Sequence, residues 1–134
     1  MNLNWLILAV LFAAALGGVF WAATRPPEYQ PPVPGNIIVS EPRAGARISR
    51  PLIVRGEART FESTVNLRLK DASGTELLET FTTAASAEIG QYGPFTAEFD
   101  YPVPSTATGV LEVFQYSAAD GTEIDRVTIP VVFQ

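Results

Sequence analysis

The side chains available for chemistry are restricted, because the 134 residues include no histidine and no cysteine. This removes the usual general base, the usual zinc ligand, thiol nucleophiles and disulfides. An enzyme would have to use carboxylates, Lys70, tyrosines and hydroxyls. Two carboxylates can hydrolyse a glycosidic bond, so a glycan hydrolase stays open, although no spacing selects two acids. We find no nucleophile–base pair and no phosphate loop, and expect a non-enzyme with no catalytic residue, cofactor or metal.

Two acidic turns are the candidates for cation binding. Residues 71–76 (DASGTE) and 119–123 (ADGTE) each place a glycine where the chain must reverse, which is typical of β-hairpins. Their carboxylates suit Ca²⁺, but neither turn has the dense alternating acids of a dedicated calcium loop. We favour plain hairpins, with calcium as the alternative.

Charge is distributed unevenly along the chain. The net charge is −5, which argues against a nucleic-acid partner. Residues 37–70 contain seven basic and three acidic side chains, whereas residues 71–134 contain one basic and ten acidic ones. We expect strands of the two halves to pair, so that charges neutralise each other across strands, with a polar binding face as the alternative.

Four charged residues are the candidate partner contacts, namely Glu62, Arg55, Arg59 and Arg68. Glu62 either contacts a partner or cation, or accepts backbone N–H bonds in a turn while Phe61 enters the core. We favour the second interpretation, because acids beside turns usually satisfy local donors. The wider basic cluster is Arg43, Arg47, Arg50, Arg55 and Arg59. It could meet anionic headgroups or wall polymers, but solvated strand faces are the simpler interpretation.

In the segments that would position these residues, apolar and polar side chains alternate with a period of two residues. Val65 and Leu67, for example, alternate with Asn66 and Arg68. Such alternation is typical of antiparallel sheets with one buried face. About seven such segments predict an all-β, immunoglobulin-like antiparallel β-sandwich. Pro130 predicts an edge or a bulge in the last strand. The aromatic residues expected in the core are Phe61, Phe81, Phe95, Phe99, Tyr101, Phe114 and Phe133.

The first 23 residues predict a transmembrane anchor. Residues 3–23 contain no charged side chain and are long enough to span a bilayer as a helix. A cleaved signal peptide is the alternative, although the apolar run is longer than a signal requires. The positive-inside rule weakly favours a cytoplasmic domain, because Arg25 follows the span. Residues 24–36 include five prolines and predict an extended linker to one domain, residues 37–134.

The domain resembles a known family in the order and spacing of short motifs. They include IVSEP at 38–42, LKD at 69–71, GPF at 93–95, GVLEVF at 109–114 and IPV at 129–131. In these it is similar to the immunoglobulin-like domain of bacterial spore-germination and related cell-envelope proteins, over residues 37–134. The resemblance implies an extracytoplasmic β-sandwich that mediates binding or assembly, and it brings no catalytic residues. On this ground we place the domain outside the membrane, against the charge rule.

We therefore expect a single-pass, membrane-anchored, extracytoplasmic binding or assembly module of the bacterial cell envelope. Residues 3–23 would contact the membrane. The partner would be an envelope protein, a cell-wall polymer or a second copy of the chain. The alternatives are a carboxylate-dependent envelope glycan hydrolase and a purely structural spacer.

Overall fold

A computed structural model describes residues 35–134. The predicted anchor, residues 1–23, and all but the last two residues of the predicted linker lie outside the described residues. Within residues 35–134 the only helical element is one 3-10 turn (Phe61–Ser63). This part of the chain therefore has no helix with the length and apolarity that a membrane span requires.

Eight strands form two sheets in the described part of the chain. They are β1 (Ile37–Glu41), β2 (Ala46–Ile48), β3 (Leu52–Ala58), β4 (Thr64–Asp71), β5 (Glu76–Thr83), β6 (Gly93–Phe99), β7 (Thr108–Tyr116) and β8 (Glu123–Phe133). One sheet has the order β1-β3-β6, and the other has the order β2-β8-β7-β4-β5. The all-β, two-sheet architecture expected from the alternating pattern is confirmed.

One detail of the predicted topology is wrong, and another holds only locally. The expectation of about seven strands omitted β2, which has three residues and pairs in parallel with Val131–Phe133 of β8. A strand this short shows no readable alternation. The edge expected at Pro130 is confirmed locally, because β2 pairs only with Val131–Phe133 of β8 and Pro130 is paired on the β7 side alone. The irregularity in the β7–β8 register falls between Val113 and Gln115, away from Pro130.

The core lies between the two sheets. It is built from the inward rows of the strands, including Val54 and Leu67, which have no exposed surface. Of the aromatic residues expected there, Phe95, Tyr101 and Phe133 are buried in this core and Phe99 packs against it. The chain has no cysteine, so apolar packing and not a disulfide holds this core together.

The core prediction is wrong for two aromatic residues. Phe61 is 60% exposed and Phe81 is 68% exposed. Phe81 lies opposite Asn66 across β4 and β5, and Asn66 belongs to the outward row of β4. Phe114 is fully buried as expected, but it too lies opposite Asn66 and is therefore covered on the outer face.

Both predicted hairpin turns are confirmed. Their glycines have positive φ, 86° at position 74 and 73° at position 121. The Asp71 carboxylate accepts hydrogen bonds from Ser73, Thr75 and Ser105, and the bond from Ser73 contributes most to lowering its pKa. Asp120 binds its own turn in the same way. Within residues 35–134 no group of three acidic side chains is placed to hold a metal ion.

Candidate interaction face on the five-stranded sheet

An ionic network covers the middle of the outer face of the five-stranded sheet. Arg68 of β4 lies directly opposite Glu79 of β5 and Glu112 of β7, so the strand register alone brings these charges together. Its guanidinium donates to Glu79 at 3.2 Å, to Glu112 at 3.0 Å and to Glu123 of β8 at 2.5 Å. Glu76 lies 3.4 Å away. We call this the ionic network: Arg68, Lys70, Arg126, Glu76, Glu79, Glu112 and Glu123.

The network favours the charged forms of Arg68, Glu112 and Glu123. The hydrogen bond with Glu123 is the main reason that the pKa of Arg68 is raised. Burial alone would raise the pKa of Glu112, but hydrogen bonds from Lys70 and Arg68 outweigh it and lower that pKa. The pKa of Glu123 is lowered, chiefly by its bond to Arg68. Arg126 also binds Glu123, so the face has few unpaired charges.

This network confirms for Arg68 and Lys70 the expectation that the two halves of the chain neutralise each other across strands. Arg68 and Lys70 come from the basic half, and their partners come from the acidic half. The Arg68 side chain is only 11% exposed, and its guanidinium also lies 4.6 Å from the centroid of the Phe114 ring. A cation stacked on a ring and bonded to three carboxylates has little freedom to move. The middle of this face is therefore rigid and polar.

Exposed aromatic side chains border the network at one end of the sheet. Tyr116 is 41% exposed, and it lines a depression of about 170 Å³ together with Phe61 and Asn66. Phe81 lies beside Asn66 on the same face. We call Phe61, Phe81 and Tyr116, grouped around Asn66, the aromatic end. Large apolar side chains that are exposed together commonly mark a binding site.

The ionic network and the aromatic end are connected. The Tyr116 hydroxyl donates to Glu79 at 2.6 Å, and this bond raises the pKa of the tyrosine. The Tyr116 ring meets the Phe114 ring edge-on, with centroids 5.2 Å apart. Phe114 in turn lies beneath Arg68. The orientation of the exposed tyrosine is therefore set by the buried part of the face.

A second set of hydrogen bonds fixes Phe61. Its backbone N–H donates to the side chain of Gln115 at 3.0 Å. Gln115, which is buried, donates to Asp125 at 2.5 Å, and Asp125 accepts from Asn36 at 3.1 Å. Arg59 donates to Asn36 at 2.8 Å. The loop that carries Phe61 is thereby tied to the point where the described chain begins.

The four predicted contact residues lie in different places. Glu62 lines the depression at the aromatic end, and Arg68 is the centre of the ionic network on the same face. Arg55 belongs to the three-stranded sheet and pairs with Glu41 at 2.7 Å. Arg59 follows β3, with its guanidinium 4.8 Å from the centroid of the Tyr92 ring. Their role as partner contacts stays a prediction.

The structural interpretation of residues 61 and 62 is wrong in both parts. Phe61 is exposed, and within residues 35–134 the Glu62 carboxylate accepts no backbone N–H bond. Instead Glu62 and Ser63 both adopt left-handed conformations, with φ of 52° and 59°. This backbone turns Phe61 outward, and local sequence gives no sign of it because neither residue is glycine or asparagine.

Other residues of this face were missed from the sequence. They are Asn66, Glu79, Phe81, Glu112, Gln115, Tyr116, Glu123 and Asp125. The alternation of β4 could have indicated part of this face. Asn66, Arg68 and Lys70 alternate with the core residues of the strand and must therefore share its outer face.

Comparison with known proteins agrees with the architecture. The model of one family, described as the immunoglobulin-like domain of bacterial spore germination, matches residues 36–122, which is more than half of the chain. Neither the curated proteins nor the solved structures include a match to this chain. The family match confirms the resemblance seen in the motifs as far as residue 122. The chain therefore belongs to the family of immunoglobulin-like domains of bacterial spore germination.

Proposed function

We propose that this protein is a membrane-anchored, extracytoplasmic, non-catalytic module that binds another protein of the bacterial cell envelope through its aromatic end. The observation that carries the proposal is the exposure of Phe61 and Phe81 on a face that is otherwise held rigid. Aromatic side chains are enriched where proteins bind each other, and they contribute a large share of the binding free energy. Family membership supports a binding or structural role in general.

The ionic network suits this role. Because Arg68, Glu112 and Glu123 already satisfy one another, a partner that covers them does not leave an unpaired charge behind. Because the side chains are held in place, their ordering costs little further entropy on binding. The aromatic end thus supplies apolar surface for a partner to bury. The polar surface beside it is rigid and its charges are already paired.

The direction of the pKa shifts favours binding over hydrolysis. A carboxylic general acid needs a pKa raised towards neutrality. The carboxyl groups with shifted pKa values in residues 35–134 shift downward, namely Asp71, Glu112, Asp120 and Glu123. A glycan hydrolase would need a carboxyl group whose pKa is raised.

Location outside the membrane is proposed from the sequence and the family. Residues 3–23 form an uncharged apolar run, and the proline-rich residues 24–36 would separate the domain from the bilayer. Reporter fusions at Gln134, one active only in the cytoplasm and one only outside, test this directly. Activity of the cytoplasmic reporter alone would overturn the extracytoplasmic placement.

Site-specific photo-crosslinking in intact cells tests the binding surface. A photoreactive side chain at position 81 or 61 of the full chain should give discrete crosslinks to an envelope protein. The matched control positions are Val103 and Ile89, which are 74% and 105% exposed but lie outside the aromatic end. Adducts of equal intensity at all four positions, or none at 61 and 81, would contradict the proposal.

A double variant, Phe61→Ala with Phe81→Ala, distinguishes contact from proximity. Both side chains are exposed, so the variant should fold normally. The envelope protein identified by crosslinking should no longer co-purify with it. The control variant, Val103→Ala with Ile89→Ala, should retain the partner. Retention by the first variant would show that the aromatic end does not supply the binding free energy.

A further inference from the structure

A basic groove lies at the other pole of the domain from the aromatic end. It has a volume of about 530 Å³ and runs between the end of β1, β2 and the start of β3. Arg43 and Arg47 line it, together with Ser49 and the apolar surfaces of Pro42 and Pro51. We call this the arginine groove.

The two arginines of the groove have fewer partners than the other cations of the described domain. Arg59 donates to Asn36, and the guanidinium of Arg50 lies 5.9 Å from the centroid of the Tyr101 ring. Arg68, Lys70, Arg126 and Arg55 each pair with a carboxylate. Within residues 35–134 the guanidinium groups of Arg43 and Arg47, both exposed, make no ion pair and no hydrogen bond.

The surroundings of the groove leave these charges unbalanced. Residues 42–56 contain four arginines and no acid, although acids outnumber bases in the whole chain by 14 to 9. Glu41, the acidic residue that lines the groove, already forms an ion pair with Arg55 at 2.7 Å. Arg50 faces a neighbouring depression that it shares with Asp100, so we do not count it with Arg43 and Arg47. The groove therefore carries a local positive charge on an acidic protein.

The backbone that holds the two arginines is fixed. The carbonyl of Arg43 accepts from the N–H of Ala46 at 3.0 Å, which closes a turn. Gly45, with φ of 78°, donates to Pro130 at 2.7 Å and so ties that turn to β8. Arg47 lies on β2, which pairs with β8. The two guanidinium groups are thus presented from a rigid edge, and a planar fork of N–H donors suits phosphate oxygens.

We propose that the arginine groove binds a phosphate-bearing anionic polymer of the envelope. Charge complementarity is the ground for this ligand, because two unpaired guanidinium groups in one groove can each bind a phosphate group of the same chain. The described domain begins at Gly35, and β1 runs from there to the groove over five residues, about 17 Å. The groove therefore lies at the far end of β1 from Gly35. If the proposed anchor precedes Gly35, this separation favours a polymer over the headgroups of the membrane.

Titration of the full chain in a nonionic detergent with short-chain inorganic polyphosphate tests this proposal. The variant Arg43→Gln with Arg47→Gln should weaken binding about tenfold or more at low salt. It should also reduce the slope of log affinity against log salt by about two, one for each lost phosphate contact.

The matched control is Arg59→Gln with Arg126→Gln, which removes the same net charge at two positions that do not line the groove. It should bind polyphosphate within about twofold of the unmodified chain. Equal losses in both variants would overturn the proposal in favour of bulk charge. Equal affinity for polyglutamate of the same length would overturn the assignment to phosphate. Crosslinking at position 81 reports on the other pole, so the two proposals fail independently.

Discussion

Replacing Arg68 by methionine should destabilise the domain by about 3 kcal/mol. Methionine keeps much of the apolar stem but removes the guanidinium, which lies over the Phe114 ring. Glu112, whose side chain is 9% exposed, would then lose one of its two ion-pair partners at 3.0 Å, and Glu79 and Glu123 would each lose their ion pair with Arg68. Breaking a buried ion pair from one side typically costs about 3–5 kcal/mol. Lys70 and Arg126 remain near Glu112, and the outer carboxylates can rehydrate, which places the cost at the lower end.

Urea denaturation of the full chain in nonionic detergent measures this cost. For a domain of this size the dependence of unfolding free energy on urea is about 1.5 kcal/mol per molar, so the midpoint should fall by about 2 M. The matched control is Arg55→Met. Arg55 and Glu41 form an ion pair with side chains 51% and 57% exposed, and its loss should cost less than about 1 kcal/mol.

The cost of Arg68→Met should also depend on pH. In the unmodified chain the lowered pKa values of Glu112 and Glu123 give stability that is fully present above the unfolded value, about 4.3. This stability is lost as pH falls through the folded pKa values, because the carboxylates become protonated. The variant should therefore approach the unmodified chain below about pH 4. A cost equal to that of Arg55→Met, or one that is constant from pH 7 to pH 3, would refute this account of the network.

Two further predictions concern packing. Gly109→Ala should cost about 3 kcal/mol of unfolding free energy, because a Cβ there would lie 2.3 Å from the Lys70 carbonyl oxygen and 2.6 Å from the ring of Phe133. Gly35→Ala, with its nearest contact at 3.9 Å, is the control and should be neutral in the same urea titration. Phe95→Ala should cost about 3–5 kcal/mol, whereas exposed Phe81→Ala should cost less than about 0.5 kcal/mol. Equal thermal shifts for these two phenylalanine variants would contradict the assignment of inner and outer faces.

The sequence predicts which face of a sheet a side chain occupies better than it predicts which strands lie side by side. In β4 the alternation of Val65 and Leu67 with Asn66 and Arg68 correctly separates the core row from the outer row. Nothing in the order of strands indicates that Glu112, 44 residues away, lies opposite Arg68. That pairing follows from the position of β4 between β5 and β7, which connects strands that are not consecutive.

The two misplaced phenylalanines fail for different physical reasons. Phe81 and Glu79 are two residues apart in β5, so the alternation of the strand places both on the outer face. The prediction of a core position rested on the hydrophobicity of Phe81 alone and was therefore wrong. Phe61 precedes two residues with positive φ, a backbone that depends on the surrounding hydrogen bonds. Its N–H bond to Gln115 is a contact across 54 residues, which no local pattern contains.

The two proposed surfaces should differ in their response to salt. At the aromatic end, the adjoining charges of Arg68 and Glu123 already pair within the domain, so a partner gains mainly by burying the exposed rings. Such binding is weakly screened by ions. At the arginine groove, Arg43 and Arg47 meet their ligand as exposed charges, and ionic strength weakens such contacts steeply. A single salt titration can therefore distinguish the two surfaces. Binding that persists at high salt is assigned to the aromatic end, and binding that is lost at high salt is assigned to the arginine groove.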